Sequence, residues 1–499
     1  MVRITIVGLG PGSASAMTRE AWGVLEQADE VWLRTGHHPA VVDLPVGGKL
    51  RTFDAVYERA DTFSDVYKEI ATEVLALGAR ERGVVYAVPG HPLIGEATVS
   101  QILTGAADTD IPVRIVAGLS FIEPTLTALE LDALDGLQIF DALDLMRLHH
   151  PSINPDFPAL VAQLYSRTIA SELKLVLMNQ YADDHPTVVL DGAGTDRERI
   201  RPLPLYEIDR YEVTPLTTLY LAPLPAVTSF EGFQDTIARL RSPEGCPWDR
   251  EQTHATLRTN LLEECYEVLE AIDRGAPEAL REELGDLLLQ IVLHGQIALE
   301  EGAFRMTEVI AQIDAKLKRR HPHVWGGVDV TGVGEVVTNW EAIKRRERAD
   351  QGEVERSLLD GVPEALPALA QSAAYADRAR RIGFDRVDAN GVWVDLPESV
   401  GDMLEACLAT LVSETDTRRN AETVSSPAAR MLGDALLVIV DWAARHAIDP
   451  ESALREANQR FACHFTALEM ASQEASVALE DLPMDEIQRL WKARSDSGA

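Results

Sequence analysis

The chain has 499 residues, enough for two to four domains, and 46% of them are hydrophobic, enough for genuine cores. Lys and Arg total 46 against 80 Asp and Glu, a net charge of −34 that disfavours general binding to nucleic acid or to an anionic membrane. No apolar run approaches the roughly 20 residues that span a bilayer, and Cys246, Cys265, Cys407 and Cys463 lack CxxC spacing, which argues against a zinc site or disulfide framework and for a reducing cytoplasm.

Residues 1 to about 223 alternate strand-like and helical segments. VRITIVG, EVWLRT, GVVYAVPG, VRIVAG, KLVLMNQY, TVVLDGAG and TTLYLAPL are short β-branched or apolar runs bounded by Gly or Pro, each expected as a strand. TREAWGVLEQA and FSDVYKEIATEVLALGAR read as helices between them, so this half is α/β. The chain opens on a strand and a Gly-rich turn, not on a signal peptide. VGLGPGSASAMT (7–18) carries glycines at 8, 10 and 12, which allow a tight turn and close approach of backbone to a ligand. It is not a GxGxxG fingerprint, because Ser13 stands where the third glycine belongs, and no GK[ST] follows to make a P-loop. LAPLPAVTSFEGF (221–233), with two prolines, reads as a linker.

Beyond residue 230 nearly everything has helical period. GCPWD (245–249) reads as a packing turn with a buried Trp248. LLEECYEVLEAID and REELGDLLLQIVL place Leu261, Leu262, Val268, Leu269 and Leu284, Leu287, Leu288, Ile291 at three- and four-residue steps, which predicts two helices with buried apolar stripes. DRGAPEA between them, with Gly275 and Pro277, folds them back antiparallel. Glu263, Glu264 and Glu267 then share a face, as do Glu283 and Asp286 on the next helix. Acidic pairs on helices are most often a solvated face. Here two clusters on adjacent helices interleave with leucines, and carboxylates that close need a counter-charge. An all-oxygen cage suits a hard divalent cation such as Mg²⁺, which recruits substrate phosphates.

Lys316 and Arg320 lie four apart on one helix face, as do Trp340 and Lys344. The basic pair is either a polyphosphate clamp or a solvated face leading into KLKRRHPH; Trp340 is either a base-stacking platform or core. His321 and His323 flank Pro322 and read as helix-terminating. A second break falls near 350–365. The helical half also repeats: ELGDLLLQIVLHGQIA (283–298) is similar to MLGDALLVIVDWAARH (431–446), and IDAKLKRRHPH (313–323) to EANQRFACHF (456–465). In the second copy Met431 replaces Glu283, Asp434 is kept, the upstream cluster is reduced to Glu405, and Arg460 and His464 replace Lys316 and Arg320. Copy one is therefore expected to act and copy two to support it.

SPEGCPWDREQTH, the EExxE…ExxD order, KLKRRHPHVWG and NWEAIKRRER together resemble the MazG family of nucleoside triphosphate pyrophosphohydrolases, over about 230–494 and including the tandem arrangement. The resemblance implies an all-α fold, Mg²⁺ dependence, dimeric assembly and hydrolysis of nucleoside triphosphates to monophosphate and pyrophosphate. It assigns Glu263, Glu264, Glu267, Glu283 and Asp286 to the metal and Lys316, Arg320, Trp340 and Lys344 to triphosphate and base, with Glu264, Glu267 and Lys316 catalytic. VGLGPGSASAMT, YAVPGHPLIGEATV (86–99) and VRIVAGLSFIEPTLTALEL (113–131) resemble the tetrapyrrole methylase family. That implies two α/β lobes with S-adenosylmethionine in the loops after the strands, here Gly10, Pro11, Gly90, His91, Pro92, Gly118 and Ser120. Many active members read GDP where this chain has Gly90-His91-Pro92, so His91 is either a cofactor contact or a structural loop residue. The fusion order is that of the YabN-like type. The expected organisation is multidomain: a two-lobed α/β methylase-like domain at 1–223, then all-α tandem MazG-like domains at 224–350 and a degenerate 360–494. The expected protein is cytoplasmic and hydrolyses nucleoside triphosphates. The rivals are a methyltransferase whose helical half only dimerises it, and a nucleotide sensor without turnover.

Overall fold

The first sheet is parallel, and its central strands are buried on both faces. The structure, a computed structural model, describes residues 2–60, 62–350, 359, 362–380, 427–475 and 489. It divides into two compact units, Met1–Gln312 and Ile313–Ala499. In the first unit β1 (Ile4–Gly8), β2 (Glu30–Leu33), β3 (Lys49–Thr52), β4 (Val84–Val88) and β5 (Val113–Val116) form a parallel sheet of order β3-β2-β4-β1-β5. Ile4, Ile6, Tyr86 and Val88 pack on one face with residues of α2 (Asp54–Arg59), α3 (Phe63–Gly78) and α4 (Ala97–Asp108). Val7, Leu9, Ala87 and Val116 pack on the other against Ala21 and Leu25 of α1 (Arg19–Glu26). Helices on both faces are why these strands read as near-continuous apolar runs. The chain leaves β1 toward β2 on one side and β4 toward β5 on the other. The carboxyl ends of β1 and β4 therefore form the switch point at which such sheets open a ligand crevice.

The second lobe is a mixed sheet of order β6-β7-β10-β8-β9, from β6 (Gln138–Asp141), β7 (Ala159–Ala162), β8 (Pro186–Asp191), β9 (Arg199–Pro204) and β10 (Thr217–Leu221). Its helices are α5 (Ile122–Leu129), α6 (Ala142–Leu145) and α7 (Arg167–Leu177). The two-lobed α/β fold is as expected, with one element reversed in type. KLVLMNQY is not a strand: its first half, KLVL, completes α7, which Ser166 caps and which buries Ile169, Ala170, Leu173, Val176 and Leu177 at helical spacing. A short apolar run does not distinguish a buried strand from a buried helical face. Four strands were unforeseen: β6 (QIFD) and β7 (ALVA), four-residue runs too short to stand out, and the exposed edge strands β3 (KLRT) and β9 (the proline-containing RIRPLP), whose polar composition blunts their edges and hides the strand signal.

From residue 222 onward no strand occurs among the described residues. The helices are α8 (Phe230–Leu240), α9 (Pro247–Glu251), α10 (Arg258–Asp273), α11 (Pro277–Glu300), α12 (Met306–Arg320), α13 (Pro322–Trp325), α14 (Val333–Asp350), α15 (Ala368–Arg380), α16 (Pro427–Arg445) and α17 (Pro450–Ala475). Residues 283–298 lie within α11, and 431–445 of the matching repeat within α16. None of these helices is long and apolar enough to cross a membrane.

The proline-rich segment expected as a linker is tied down. Leu224 N–H donates to Pro155 O at 2.8 Å. The Asp156 carboxylate accepts from Thr228 N and Oγ1 at 2.7 and 2.9 Å, from Ser229 N, and from the Ser229 hydroxyl. Ser229 in turn caps α8 by accepting from Gly232 N. Burial pushes the Asp156 carboxyl up, but the Ser229 and Thr228 hydrogen bonds outweigh it and hold it below its ordinary range.

Asp156→Ala is expected to cost about 1.5–3 kcal/mol, the value of hydrogen bonds to a charged group, read as a lower melting temperature. The wild-type carboxyl is depressed on folding, so its contribution is present above the unfolded aspartate range and vanishes as pH falls through the lower folded value. The melting temperatures of the two proteins should therefore converge in acid; a constant difference would refute the charge-assisted role.

Candidate active sites

Helices α10 and α11 form an antiparallel hairpin, linked through Arg274–Ala276 with Gly275 at φ +59°. Leu257 at the foot of α10 packs with Val292, Leu293 and Ile297 of α11, Met306 and Ile237 of α8. Arg241 braces the same end: nearly buried, it pairs with Glu300 at 2.7 Å and donates to the carbonyls of Asp249 and Gln252. The GCPWD turn is held through that arginine and not through its tryptophan. Contrary to expectation Trp248 is 59% exposed.

At the level of the carboxylates, one oxygen each of Glu264, Glu267 and Glu283 lies within 4.8 Å of the others. Asp286 faces Glu264 closely enough to raise its carboxyl. Glu263 is exposed and outside this group of oxygens. No ion pair among the described residues reaches these carboxylates. Burial raises the Glu264 carboxyl, then repulsion from Asp286 and Glu267, and a hydrogen bond joins Glu264 to Glu267. Burial also raises Glu283, followed by Glu267, Glu282, Asp286 and Glu270. Glu270 and Glu282 were not foreseen; Glu270 continues the series 264, 267, 270 on α10 and is paired with Arg274. The donor set is all oxygen, strained by like charge, and fits a hard divalent cation.

The apolar stripe flanking the cage is not buried as expected. Leu262 is 55% exposed, and Leu269, Ile272, Leu284, Leu288 and Ile291 are exposed with it. In the first unit, α8 covers α11 only at its C-terminal half, through Val292, Leu293 and Ile297. One further contact was not legible: His254 Nδ1 lies 2.7 Å from His294 Nδ1, with ring planes 9° apart and centroids 5.0 Å apart. The nitrogens meet along the line of centroids, so this is an edge-to-edge hydrogen bond. It ties the segment ahead of α10 to α11. Burial, then His254, keeps the His294 imidazole below its ordinary range.

In the second unit, Arg319 and Arg320 at the end of α12 both donate to Glu347 of α14. The Arg320 guanidinium lies 5.8 Å from the Trp340 ring centroid and the Lys344 ammonium 4.9 Å. Trp340 thus carries cations on its π-system, while Lys316 is exposed. His321 Nδ1 donates to Leu317 O at 2.7 Å as α12 ends, in keeping with a helix-terminating role. In the second copy Asp434 is exposed on α16 and Arg460 pairs with Glu456 at 2.9 Å. Glu405, the side chain of Met431 and much of 360–494 lie outside the described residues.

The methylase-like loops converge at the switch point. A Cβ on Gly8 would stand 2.5 Å from Gly90 O and 2.7 Å from Gly118 N; one on Gly118 would stand 2.4 Å from Gly90 O. Gly10 and Gly90 have φ of +81° and +67° and exchange two backbone hydrogen bonds. Pro11 follows Gly10 directly, and Pro92 follows Gly90 after His91. His91 Nδ1 accepts from Leu93 N at 3.1 Å, a local loop bond that favours its structural reading. Buried Ser120 donates its N–H and hydroxyl to Glu123. Two nearby groups had no sequence signal. Buried His38 is hydrogen-bonded to the Gly10 backbone, and Arg34 pairs with buried Glu96 at 2.6 Å beyond Gly90.

Residues 3–209 match the family of tetrapyrrole (corrin/porphyrin) methylases, and residues 252–325 match the MazG nucleotide pyrophosphohydrolase domain. The uncharacterized protein YabN of Bacillus subtilis is 37% identical over 505 aligned residues, 99% of either chain. The nucleoside triphosphate pyrophosphohydrolase/pyrophosphatase MazG of Thermotoga maritima is 38% identical over 263 residues, 53% of this chain and 94% of the relative. Among solved structures, the uroporphyrin-III-C-methyltransferase of Thermus thermophilus is similar at 21% identity and a TM-score of 0.35, covering 44% of this chain and 91% of that one.

Glu267→Gln is expected to raise the melting temperature without metal, because it removes one of the clustered charges, and to cut the stabilisation given by Mg²⁺. In the wild type that stabilisation should shrink as pH falls through the raised carboxyl range, since protons then compete for the same oxygens. An Mg²⁺ shift equal at pH 5 and pH 8 would refute the cage. Gly118→Ala is expected to destabilise the first lobe by about 1–3 kcal/mol, because backbone atoms and not a pliable side chain meet the new methyl group; a neutral result in thermal unfolding would show that the loops can part.

Proposed function

This chain belongs to the YabN-like family, a tetrapyrrole methylase domain followed by a MazG domain, and on that premise we propose that its helical half hydrolyses nucleoside triphosphates to nucleoside monophosphate and pyrophosphate. The observation that carries the reading is the convergence of the Glu264, Glu267 and Glu283 oxygens within 4.8 Å without a protein counter-ion among the described residues. Glu264, Glu267, Glu283 and Asp286 would hold a divalent cation such as Mg²⁺. When bound, it supplies neutralisation of phosphate charge and a lowered pKa for water. Glu264, whose carboxyl is raised by burial and by its neighbours Asp286 and Glu267, takes the proton of the attacking water. Water adds at the α-phosphorus, the bond to the bridging oxygen breaks, and pyrophosphate leaves. Lys316 and Arg320 are read as phosphate ligands and Lys344 as a further cation. The Trp340 ring, with cations over it, is read as their support as much as a platform for a base. Domain bounds of 1–223, 224–350 and 360–494 belong to the same reading, with copy one active. The exposed leucines of α10 and α11 favour a homodimer in which a second copy covers them.

A second activity is favoured by a separate observation. The Gly8, Gly90 and Gly118 backbones are packed to contact at the switch point, where a side chain on Gly8 or Gly118 would collide with backbone atoms. That arrangement offers backbone groups to S-adenosylmethionine, with Gly10, Pro11, Gly90, His91, Pro92, Gly118 and Ser120 as the loop residues. A cytoplasmic location accords with this chemistry.

The hydrolase reading is tested by pyrophosphate release from a panel of nucleoside triphosphates with and without Mg²⁺. Glu267→Gln is expected to lose activity on the order of 100-fold or more, and Asp434→Asn to retain it. No release by the wild type, or equal loss in both variants, would sink the assignment to copy one.

A further inference from the structure

Glu347 has no role in the chemistry above, yet two arginines converge on its carboxylate. It accepts from Arg319 Nε at 2.6 Å and from Arg320 through Nε and Nη2, the latter at 2.6 Å. The Arg320 and Glu347 side chains are only 15% and 14% exposed, so this is a shielded, two-point pair and not a surface contact. Hydrogen bonds from Arg320 and Arg319 hold the Glu347 carboxyl down at about 2, against burial. It is therefore an anion at any physiological pH. Trp340, Lys344 and Glu347 fall at i, i+4 and i+7, one face of α14. Arg320 is thus held at its Nε–Nη2 edge by Glu347, with its guanidinium carbon 5.8 Å from the Trp340 ring centroid. No hydrogen bond from Nη1 occurs among the described residues, and that edge is the one placed to meet a ligand.

We propose that Glu347 is a positioning residue, which fixes the guanidinium groups of Arg319 and Arg320 in the orientation in which they receive a nucleotide's phosphates. The inference rests on the phosphate-binding reading of the end of α12. Two physical effects oppose each other here. Glu347 cancels one positive charge and so weakens long-range attraction for an anion. It also removes the rotational freedom of two long side chains, which strengthens binding at short range. The shielded geometry makes orientation the larger effect, and the sign of a single substitution decides it.

The test uses the full chain with ATP and Mg²⁺. Glu347→Gln is expected to raise KM by about tenfold or more while kcat stays within about twofold, and Glu347→Asp, which keeps the charge, to recover part of the loss. Glu267→Gln, run beside it, is expected to lose kcat instead. A KM that is unchanged or lower in Glu347→Gln would overturn the proposal, because attraction would then outweigh orientation. Equal loss of KM and melting temperature in Gln and Asp variants would also overturn it, by showing only a stitch between α12 and α14. If the wild type releases no pyrophosphate, the hydrolase reading fails. The positioning role is then decided by ATP affinity in calorimetry, where Glu347→Gln must still bind about tenfold more weakly.

Discussion

Holding ionised carboxylates within hydrogen-bonding distance of one another is unfavourable unless something forces them together, and the first helical hairpin is built around that constraint. Among the described residues neither Glu264 nor Glu283 has an ion-pair partner, and burial and then neighbouring carboxylates raise both carboxyls. The helices that carry them cannot separate to relieve the repulsion. One end is closed by the turn at Gly275. The other is closed by the Leu257–Val292–Ile297 core, the Arg241–Glu300 pair and the His254–His294 hydrogen bond. The cage is thus strained locally and paid for by packing a few turns away, the arrangement expected where polar strain serves a site.

The same separation of duties runs through the α/β half. The crevice at the ends of β1 and β4 is lined by glycines because three strand-end loops come into backbone contact there. Rigidity is supplied by side chains set back from it: His38 beneath Gly10, and the Arg34–Glu96 pair beyond Gly90. Asp156 then locks the second lobe to the start of α8, and α8 packs on the C-terminal half of α11. Within the first unit a continuous chain of caps and contacts therefore leads from the β-sheet to the carboxylate hairpin. The lowered Asp156 carboxyl is the polar member of that chain.

Where α12 ends beside α14 the logic is inverted: Arg319, Arg320 and Lys344 gather there, and Glu347 is the shielded anion that pairs with the two arginines. An anion spent on two arginines lowers local charge but makes their direction definite. Charge count and geometry are thus traded against each other on α12 and α14, as they are on α10 and α11 with the opposite sign.

Periodicity alone determined that the chain is an α/β half followed by a helical half, and that two acidic segments face one another across a Gly-Pro turn. Those features are local, because a strand's apolar run or a helix's three-to-four spacing is written in neighbouring residues. The KLVLMNQY segment was misread because five or six apolar residues fit either period, and only packing against the second sheet selects the helix. The polar edge strands β3 and β9 had no apolar signal to read. Tertiary structure alone decided that Glu264, Glu267 and Glu283 form the tight group and Glu263 does not, since that depends on the rotation of α10 against α11. It also decided that Trp248 and the leucines of the hairpin are exposed. His254 with His294 and Glu347 with Arg319 and Arg320 are partners 40, 28 and 27 residues apart. A side chain's chemistry is carried by its own position in the sequence, but its partner is chosen by how the helices pack.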